Sequence, residues 1–202
     1  MTRIISPLAG LLLLLGLAGA QAADDKVVDT PYYPLKVGSK WTYKVGSGAF
    51  TVEVAKHEKV GDVMCALLET SKDGQVVTSE HVGVKADGVY RYTISGQKPD
   101  APFRILKLPP KKGDTWKVEA KIAGQGFNGS FTAGDAEVTT PAGKFKTVTA
   151  FSDGFEVPDP SGGSLKITFK FWFAEKVGLV KQTIGVGDRP EVVIELEKYE
   201  AK

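Results

Sequence analysis

Three carboxylates spaced three residues apart are the first candidates for chemistry in this sequence. Asp153, Glu156 and Asp159 lie in a stretch that also carries proline, glycine and serine, and carboxylate oxygens are the ligands that calcium prefers in proteins. Their spacing does not match the D-x-[DN]-x-[DN]-G loop of an EF-hand. We therefore interpret them as solubilising charges of a loop, and we predict no metal site and no cofactor.

The two histidines and the single cysteine do not form a recognisable catalytic set. His57 and His81 are separated by 23 other residues, and neither belongs to an H-E-x-x-H motif. No G-x-S-x-G motif presents a nucleophilic serine. Cys65 stands in the apolar run Val63–Leu68, which favours an inert core thiol. We predict no catalytic residues, and a hydrolase with an unrecognised site ranks third among the functions considered.

The segment Gly124–Gly129 reads G-Q-G-F-N-G and so matches the G-x-G-x-x-G pattern of dinucleotide-binding proteins. That motif holds a pyrophosphate only where it follows a strand and opens a helix. Here the neighbouring residues on both sides alternate like strands, which favours a turn between two strands.

Alternation of apolar and polar residues runs through nearly the whole chain and predicts an all-β fold. We expect about eleven antiparallel strands in one curved sheet or barrel, with a half-barrel or a sandwich as alternatives. The expected strands are 41–45, 50–56, 63–70, 76–84, 89–94, 116–122, 127–139, 145–151, 165–173, 179–184 and 192–199.

Short turn motifs support antiparallel pairing. Asp73-Gly74 and Asp87-Gly88 each predict a two-residue type I′ hairpin, because aspartate and glycine tolerate positive φ. Thr140-Pro141-Ala142-Gly143 predicts another turn, with proline fixing φ near its start.

Two parts of the chain do not fit the strand pattern. The stretch 156–165, E-V-P-D-P-S-G-G-S-L, predicts an elongated loop, and such loops often carry function. Trp172 lies on the polar side of its expected strand, so it is either covered by another strand or a contact residue. The basic stretch 98–117 is interpreted as a solvated connector between the two halves, with contact to an anionic membrane surface or an acidic partner as the alternative.

The order of several short motifs suggests an internal duplication with halves 31–98 and 103–200. Gly38-x-x-Trp41 recurs as Gly113-x-x-Trp116, and Asp73-Gly74 recurs as Asp153-Gly154. Chance reuse of common turn motifs is the alternative.

The N-terminus carries an export signal. Residues 1–22 combine a basic start, a leucine run and an A-x-A site, which predicts a helical signal peptide cleaved after Ala22. Residues 23–202 then form a single all-β domain, free in the periplasm or secreted, without an apolar stretch long enough to cross a membrane. The chain has 26 basic and 24 acidic residues, which argues against a nucleic-acid partner.

Three stretches resemble a group of uncharacterised exported bacterial envelope proteins and lipoproteins. Residues 32–43, Y-Y-P-L-K-V-G-S-K-W-T-Y, resemble their P-L-x-x-G-x-x-W-x-Y opening, and residues 138–145 and 171–181 resemble later segments of the same group. The resemblance implies a β-rich envelope protein and no established activity or catalytic residues. Some members are lipid-anchored, whereas this chain has no cysteine directly after its leucine run.

These observations lead to two main hypotheses on function. The first is a non-enzymatic envelope protein that binds an apolar small molecule, a lipid or a lipid-modified partner in the concavity of its curved sheet. The alternative is a protein-interaction or assembly module whose contacts come from the 156–165 loop, with Asp153, Glu156, Asp159 and Trp172 as candidate contact residues. An interior cavity lined by the alternating apolar residues distinguishes the first hypothesis from a fully packed fold.

Overall fold

The protein was analysed as a computed structural model that describes residues 28–159 and 162–202. The predicted signal peptide lies outside these residues. Thirteen strands are present: β1 Lys40–Val45, β2 Gly48–Val60, β3 Val63–Lys72, β4 Gln75–Lys85, β5 Gly88–Thr93, β6 Phe103–Lys107, β7 Thr115–Ile122, β8 Gln125–Thr140, β9 Gly143–Ser152, β10 Phe155–Pro158, β11 Ser164–Ala174, β12 Gly178–Val186 and β13 Val192–Glu200.

The all-β prediction is confirmed, and its physical basis is visible in single strands. Along β7, Trp116, Val118 and Ala120 are buried while the intervening residues are exposed. Successive side chains of a strand point to opposite faces, so this alternation places one face of the sheet inside. Within the described residues no helix is long and apolar enough to cross a membrane.

All thirteen strands belong to one antiparallel sheet that curls round on itself. The order is β10-β8-β9-β11-β12-β13-β1-β2-β3-β4-β5-β6, and β7 pairs with β8. Strand β11 pairs with β10 along its first part and with β9 along its last part. Strand β10 therefore continues the line of β9, between β8 and β11.

The two ends of the curled sheet meet where β6 lies beside β7. The indole Nε1 of Trp116 donates a hydrogen bond to the backbone oxygen of Arg104 at 3.0 Å. The backbone N–H of Asp100 donates to the oxygen of Lys121 at 3.0 Å. These isolated bonds join the ends, and no β6–β7 ladder forms among the described residues.

Two strands were missing from the sequence prediction. Strand β6 is short and lies between prolines in the stretch 98–117, so the interpretation of that stretch as a connector was wrong for residues 103–107. Strand β10 covers the start of the expected loop 156–165, which was therefore also wrong in part. Both strands carry too few alternating residues for periodicity to reveal them.

The turn predictions were right at one Asp-Gly pair and wrong at the other. Asp73 and Gly74 both have positive φ, 52° and 78°, as a type I′ hairpin requires. The next turn consists of residues 86–87, and Gly88 instead begins β5, paired with Lys85. A Cβ at Gly88 would lie 2.6 Å from the backbone oxygen of Leu106, so this glycine is needed for close strand packing.

The G-x-G-x-x-G match opens at a hairpin turn, as expected. Ala123 and Gly124 have φ of 51° and 81° and connect β7 to β8, with Ile122 paired to Gln125.

The two predicted halves share a hydrogen-bond pattern. The Gly38 N–H donates to the oxygen of Val54, whose own N–H donates to Ser39. The Gly113 N–H likewise donates to Ala133, whose N–H donates to Asp114. This likeness agrees with an internal duplication, which stays a prediction.

Candidate functional site

The inner face of the curled sheet encloses a cavity of about 360 Å³, here called the inner chamber. Its size is within the range of small-molecule pockets. Its apolar lining includes Tyr43, Phe50, Val52, Leu179, Ile184 and Ile194, which come from four strands, together with Tyr33 and Trp41. The interior is therefore not fully packed.

A second cavity of about 280 Å³, the side chamber, adjoins the first. Arg91, Ile94, Ser95 and Phe169 line both cavities. The remaining lining residues of the side chamber are Gln97, Phe103, Ile122, Phe127 and Phe171. The two chambers together form a mainly apolar space with Arg91 at their junction. The other polar side chains on the inner chamber are Thr70, Thr78, Ser79, Glu80, Ser95 and Gln182.

The antiparallel pairing places the chambers toward one end of the sheet, here called the open end. Thr70 and Thr78 line the inner chamber and lie close to the β3–β4 turn. Ser95 and Gln97, from the β5–β6 connection, line the chambers at the same end. Exposed valines also occur in the strands at this end: Val76, Val77, Val192 and Val193.

The segment before β1 covers the opposite end. Leu35 is 1% exposed, and its backbone oxygen accepts a hydrogen bond from Nε2 of His57 at 2.6 Å. The oxygen of Pro31 accepts from the N–H of Lys176 in the β11–β12 turn. This segment gives the inner chamber its closed floor, and His57 has a structural role in holding it.

Two aromatic side chains of the inner chamber donate hydrogen bonds to backbone oxygens. Nε1 of Trp41 donates to the oxygen of Val177 at 2.7 Å, and the hydroxyl of Tyr43 donates to the oxygen of Leu179 at 2.8 Å. Burial raises the pKa of Tyr43 well above its usual value. With these polar groups satisfied, the rings present apolar surface to the chamber.

One ion pair stands inside this apolar space. Nε of Arg91 lies 2.9 Å from Oε2 of Glu80, and the two side chains are 13% and 20% exposed. The guanidinium carbon lies 5.5 Å from the centre of the Phe171 ring. The Nε–H is not aligned with the carboxylate, and Arg91 Nε has no hydrogen-bond partner among the described residues.

A groove also lies elsewhere, on the outside of the sheet. It measures about 520 Å³ and is lined by exposed charged residues, including Asp135, Glu137, Lys146 and Glu175. It is shallow and wide, so it would bury little of a ligand. The inner chamber is the better candidate site because ligand pockets bury most of the ligand surface.

Sequence analysis missed a hydrogen-bonded relay around His81. Nε2 of His81 lies 2.8 Å from Oε1 of Glu58, and Nδ1 lies 2.9 Å from the hydroxyl of Thr93. The order hydroxyl, imidazole, carboxylate is that of a hydrolytic triad. However, the Thr93 oxygen also accepts from the backbone N–H of His81 at 2.9 Å, and none of the three residues lines the chambers or the outer groove. This is a relay that joins β2, β4 and β5.

Cys65 is enclosed on the other side of the sheet from the chambers. Its Sγ lies 3.1 Å from where a Cβ on Gly83 would stand, with the Tyr92 ring beside it. Burial raises the pKa of the Cys65 thiol to about 11. A buried thiol with so little thiolate agrees with the inert role expected of it.

The three candidate carboxylates lie along one hairpin. Asp153 is exposed and accepts a weak hydrogen bond from the Ser130 hydroxyl at 3.4 Å. Glu156 is exposed on β10, and Asp159 lies in the turn that follows. In the described part of the chain no three histidine, cysteine or acidic side chains are grouped closely enough to hold a metal ion.

Trp172 lies on the outer face of β11 and is half-buried. Its ring meets the Phe151 ring edge-on, with centroids 4.8 Å apart, and Nζ of Lys181 lies 5.8 Å from the ring centre. Neighbouring outer side chains cover part of it. Its role as a contact residue stays a prediction.

Similarity to known proteins is confined to the fold. No family model matches the chain, and no curated protein matches it. A solved structure from Parabacteroides distasonis, named a lipoprotein, has 13% sequence identity and a TM-score of 0.53, over 86% of this chain and 100% of its own. Another from Bacteroides fragilis, named an exported protein with a YmcC-like fold, has 14% identity and a TM-score of 0.49, over 84% and 99%. The likeness shows the fold alone.

Proposed function

We propose that this protein is a non-enzymatic envelope protein that binds an apolar ligand, of lipid type, in the inner chamber. The observation that carries this proposal is an apolar cavity of about 360 Å³ beside a second of about 280 Å³ in the interior of the sheet. A fold that served only as a scaffold would gain stability by filling this space, because unfilled cavities forfeit dispersion contacts.

The exported setting supports the same proposal. The N-terminal sequence pattern predicts secretion, and both structures of similar fold carry names of exported proteins or lipoproteins. An envelope offers lipids and lipid-modified proteins as ligands. Exposed valines at the open end, Val76 and Val77 among them, offer an apolar ligand a first contact beside the polar lining residues Thr78 and Ser95.

The first experiment is native mass spectrometry of the protein purified from an envelope extract, before and after mild organic extraction. We expect an added mass that extraction removes and that returns when a neutral lipid such as 1-monopalmitoylglycerol is supplied. A protein that carries no adduct and takes up no lipid would overturn the proposal.

A pair of neighbouring substitutions tests whether the ligand occupies the inner chamber. Thr78 lines the chamber, whereas Val77 is 60% exposed on the other face of β4. Thr78→Trp should block the chamber and abolish lipid uptake, and Val77→Trp is the matched control. Equal lipid uptake by both variants, with equal melting temperatures, would place the ligand elsewhere.

A further inference from the structure

The junction of the two chambers contains a partly buried ion pair in mainly apolar surroundings. Arg91 and Glu80 form an ion pair in an apolar interior, and Nε of Arg91 has no aligned acceptor. Buried ion pairs are seldom more stable than apolar residues of similar volume, and an unsatisfied buried donor carries a cost in stability. The ion pair becomes more favourable when a ligand places a hydrogen-bond acceptor beside Nε of Arg91.

The charge at this position favours a neutral acceptor. The guanidinium of Arg91 is already balanced by the carboxylate of Glu80, 2.9 Å away. A ligand carboxylate beside Arg91 would also face Glu80, and like charges in a weakly screened interior repel. A carbonyl oxygen, which carries no net charge, accepts the free N–H of Arg91 with much less repulsion.

The surroundings of Arg91 define the rest of the ligand. Ile94 and Phe169 line both chambers next to it, and Phe171 lies under its guanidinium group. Apolar space extends from Arg91 in two directions, so the acceptor must have apolar groups on at least one side. An acyl chain joined to its head group by an ester or amide has this form.

Resting on the proposed function, we propose that Arg91 recognises the carbonyl group of a neutral acyl lipid, with Glu80 excluding free fatty acids. Glu80 keeps the pair neutral, and Arg91 donates Nε–H to the carbonyl oxygen. The acyl chain then lies in the apolar space of the chambers. The lipid is thus selected by its uncharged ester or amide linkage.

The test compares three probes that share one chain length: 1-monopalmitoylglycerol, its ether analogue 1-hexadecylglycerol, and palmitate. The ester and the ether differ at the carbonyl oxygen, and palmitate adds a charge. Dissociation constants are measured by native mass spectrometry on the secreted protein after its lipids are removed. The wild type is compared with Arg91→Met and Glu80→Gln. The controls are Arg104→Met and Asp87→Asn, because this arginine–aspartate pair also contacts an aromatic ring but lies outside both chambers.

We expect the wild type to bind the ester about tenfold more tightly than the ether, the size of effect that one hydrogen bond to a charged donor gives. Arg91→Met should abolish that preference while ether binding persists, which also shows that the variant is folded. Glu80→Gln should raise palmitate affinity at least tenfold, and the two control variants should behave as the wild type.

Equal binding of ester and ether by the wild type would overturn carbonyl recognition while leaving the chamber as a lipid site. Unchanged palmitate affinity in Glu80→Gln would overturn the role given to Glu80. Binding of none of the three probes would instead overturn the proposed function itself, so the two failures are distinguishable.

Discussion

Truncation of two phenylalanines tests whether the interior is hollow where the structure places the chambers. Phe131 is fully buried, and its ring lies within 5.8 Å of the rings of Trp116, Phe155 and Phe171. Phe169 is half-buried and lines both chambers. Each change removes the same atoms, so the difference in stability reports how densely each ring is packed.

The expected magnitudes follow from packing. Phe131→Ala should lower the free energy of unfolding by about 3–5 kcal/mol, as in other close-packed cores. In a chain of this length that corresponds to a melting temperature lower by about 6–20 °C. Phe169→Ala should cost less, about 1–2 kcal/mol. The ring of Phe169 packs against those of Phe103, Phe155 and Phe171, but part of it faces empty space and has no dispersion contacts to lose there.

Urea unfolding followed by circular dichroism is the assay, with the slope of the transition compared between variants. A common slope shows that the midpoint shift reflects stability alone. A cost for Phe169→Ala equal to or larger than that for Phe131→Ala would refute the reasoning, since it would mean that the space beside Phe169 is filled in the apo protein.

Four further predictions concern residues outside the chambers. Cys65 should react slowly with a chromogenic disulfide reagent at pH 8, because a pKa of about 11 leaves about one thiol in a thousand as thiolate, and rapid labelling of the folded protein would contradict its burial. The stability contributed by the neutral thiol is present below about pH 9 and is lost as the pH rises through 11. Gly83→Ala should lower stability by about 1–3 kcal/mol in urea, because its Cβ would stand 2.7 Å from the Tyr92 ring, and an unchanged midpoint would show that the ring moves aside freely. His81→Ala should cost about 1 kcal/mol and leave lipid affinity unchanged in titrations, whereas ester hydrolysis that disappears with this substitution would reveal a catalytic role. Trp172→Ala should leave lipid affinity unchanged, and loss of a co-purifying envelope protein from pull-downs of this variant would support the interaction module.

Sequence periodicity determined the fold class and most of the strands because each strand buries one face. In β7 the alternation of Trp116, Val118 and Ala120 with polar residues is complete, so the pattern is readable without neighbours. The turn at Asp73-Gly74 is equally local, since positive φ is a property of the residues themselves. Strand β10 could not be read in this way, because four residues carry too short a pattern.

Only the tertiary structure decided where function is possible. Glu80 and Arg91 lie on adjacent strands, β4 and β5, and nothing in their local sequence shows that both face the interior. A β-bulge between His81 and Val82 sets the pairing of β4 with β5, and it also brings His81 to Thr93. The curl of the sheet then determines that the apolar faces pack together over much of their area and leave a chamber toward the open end. Curvature and register are sums over many strand pairs, so no single stretch of sequence contains them.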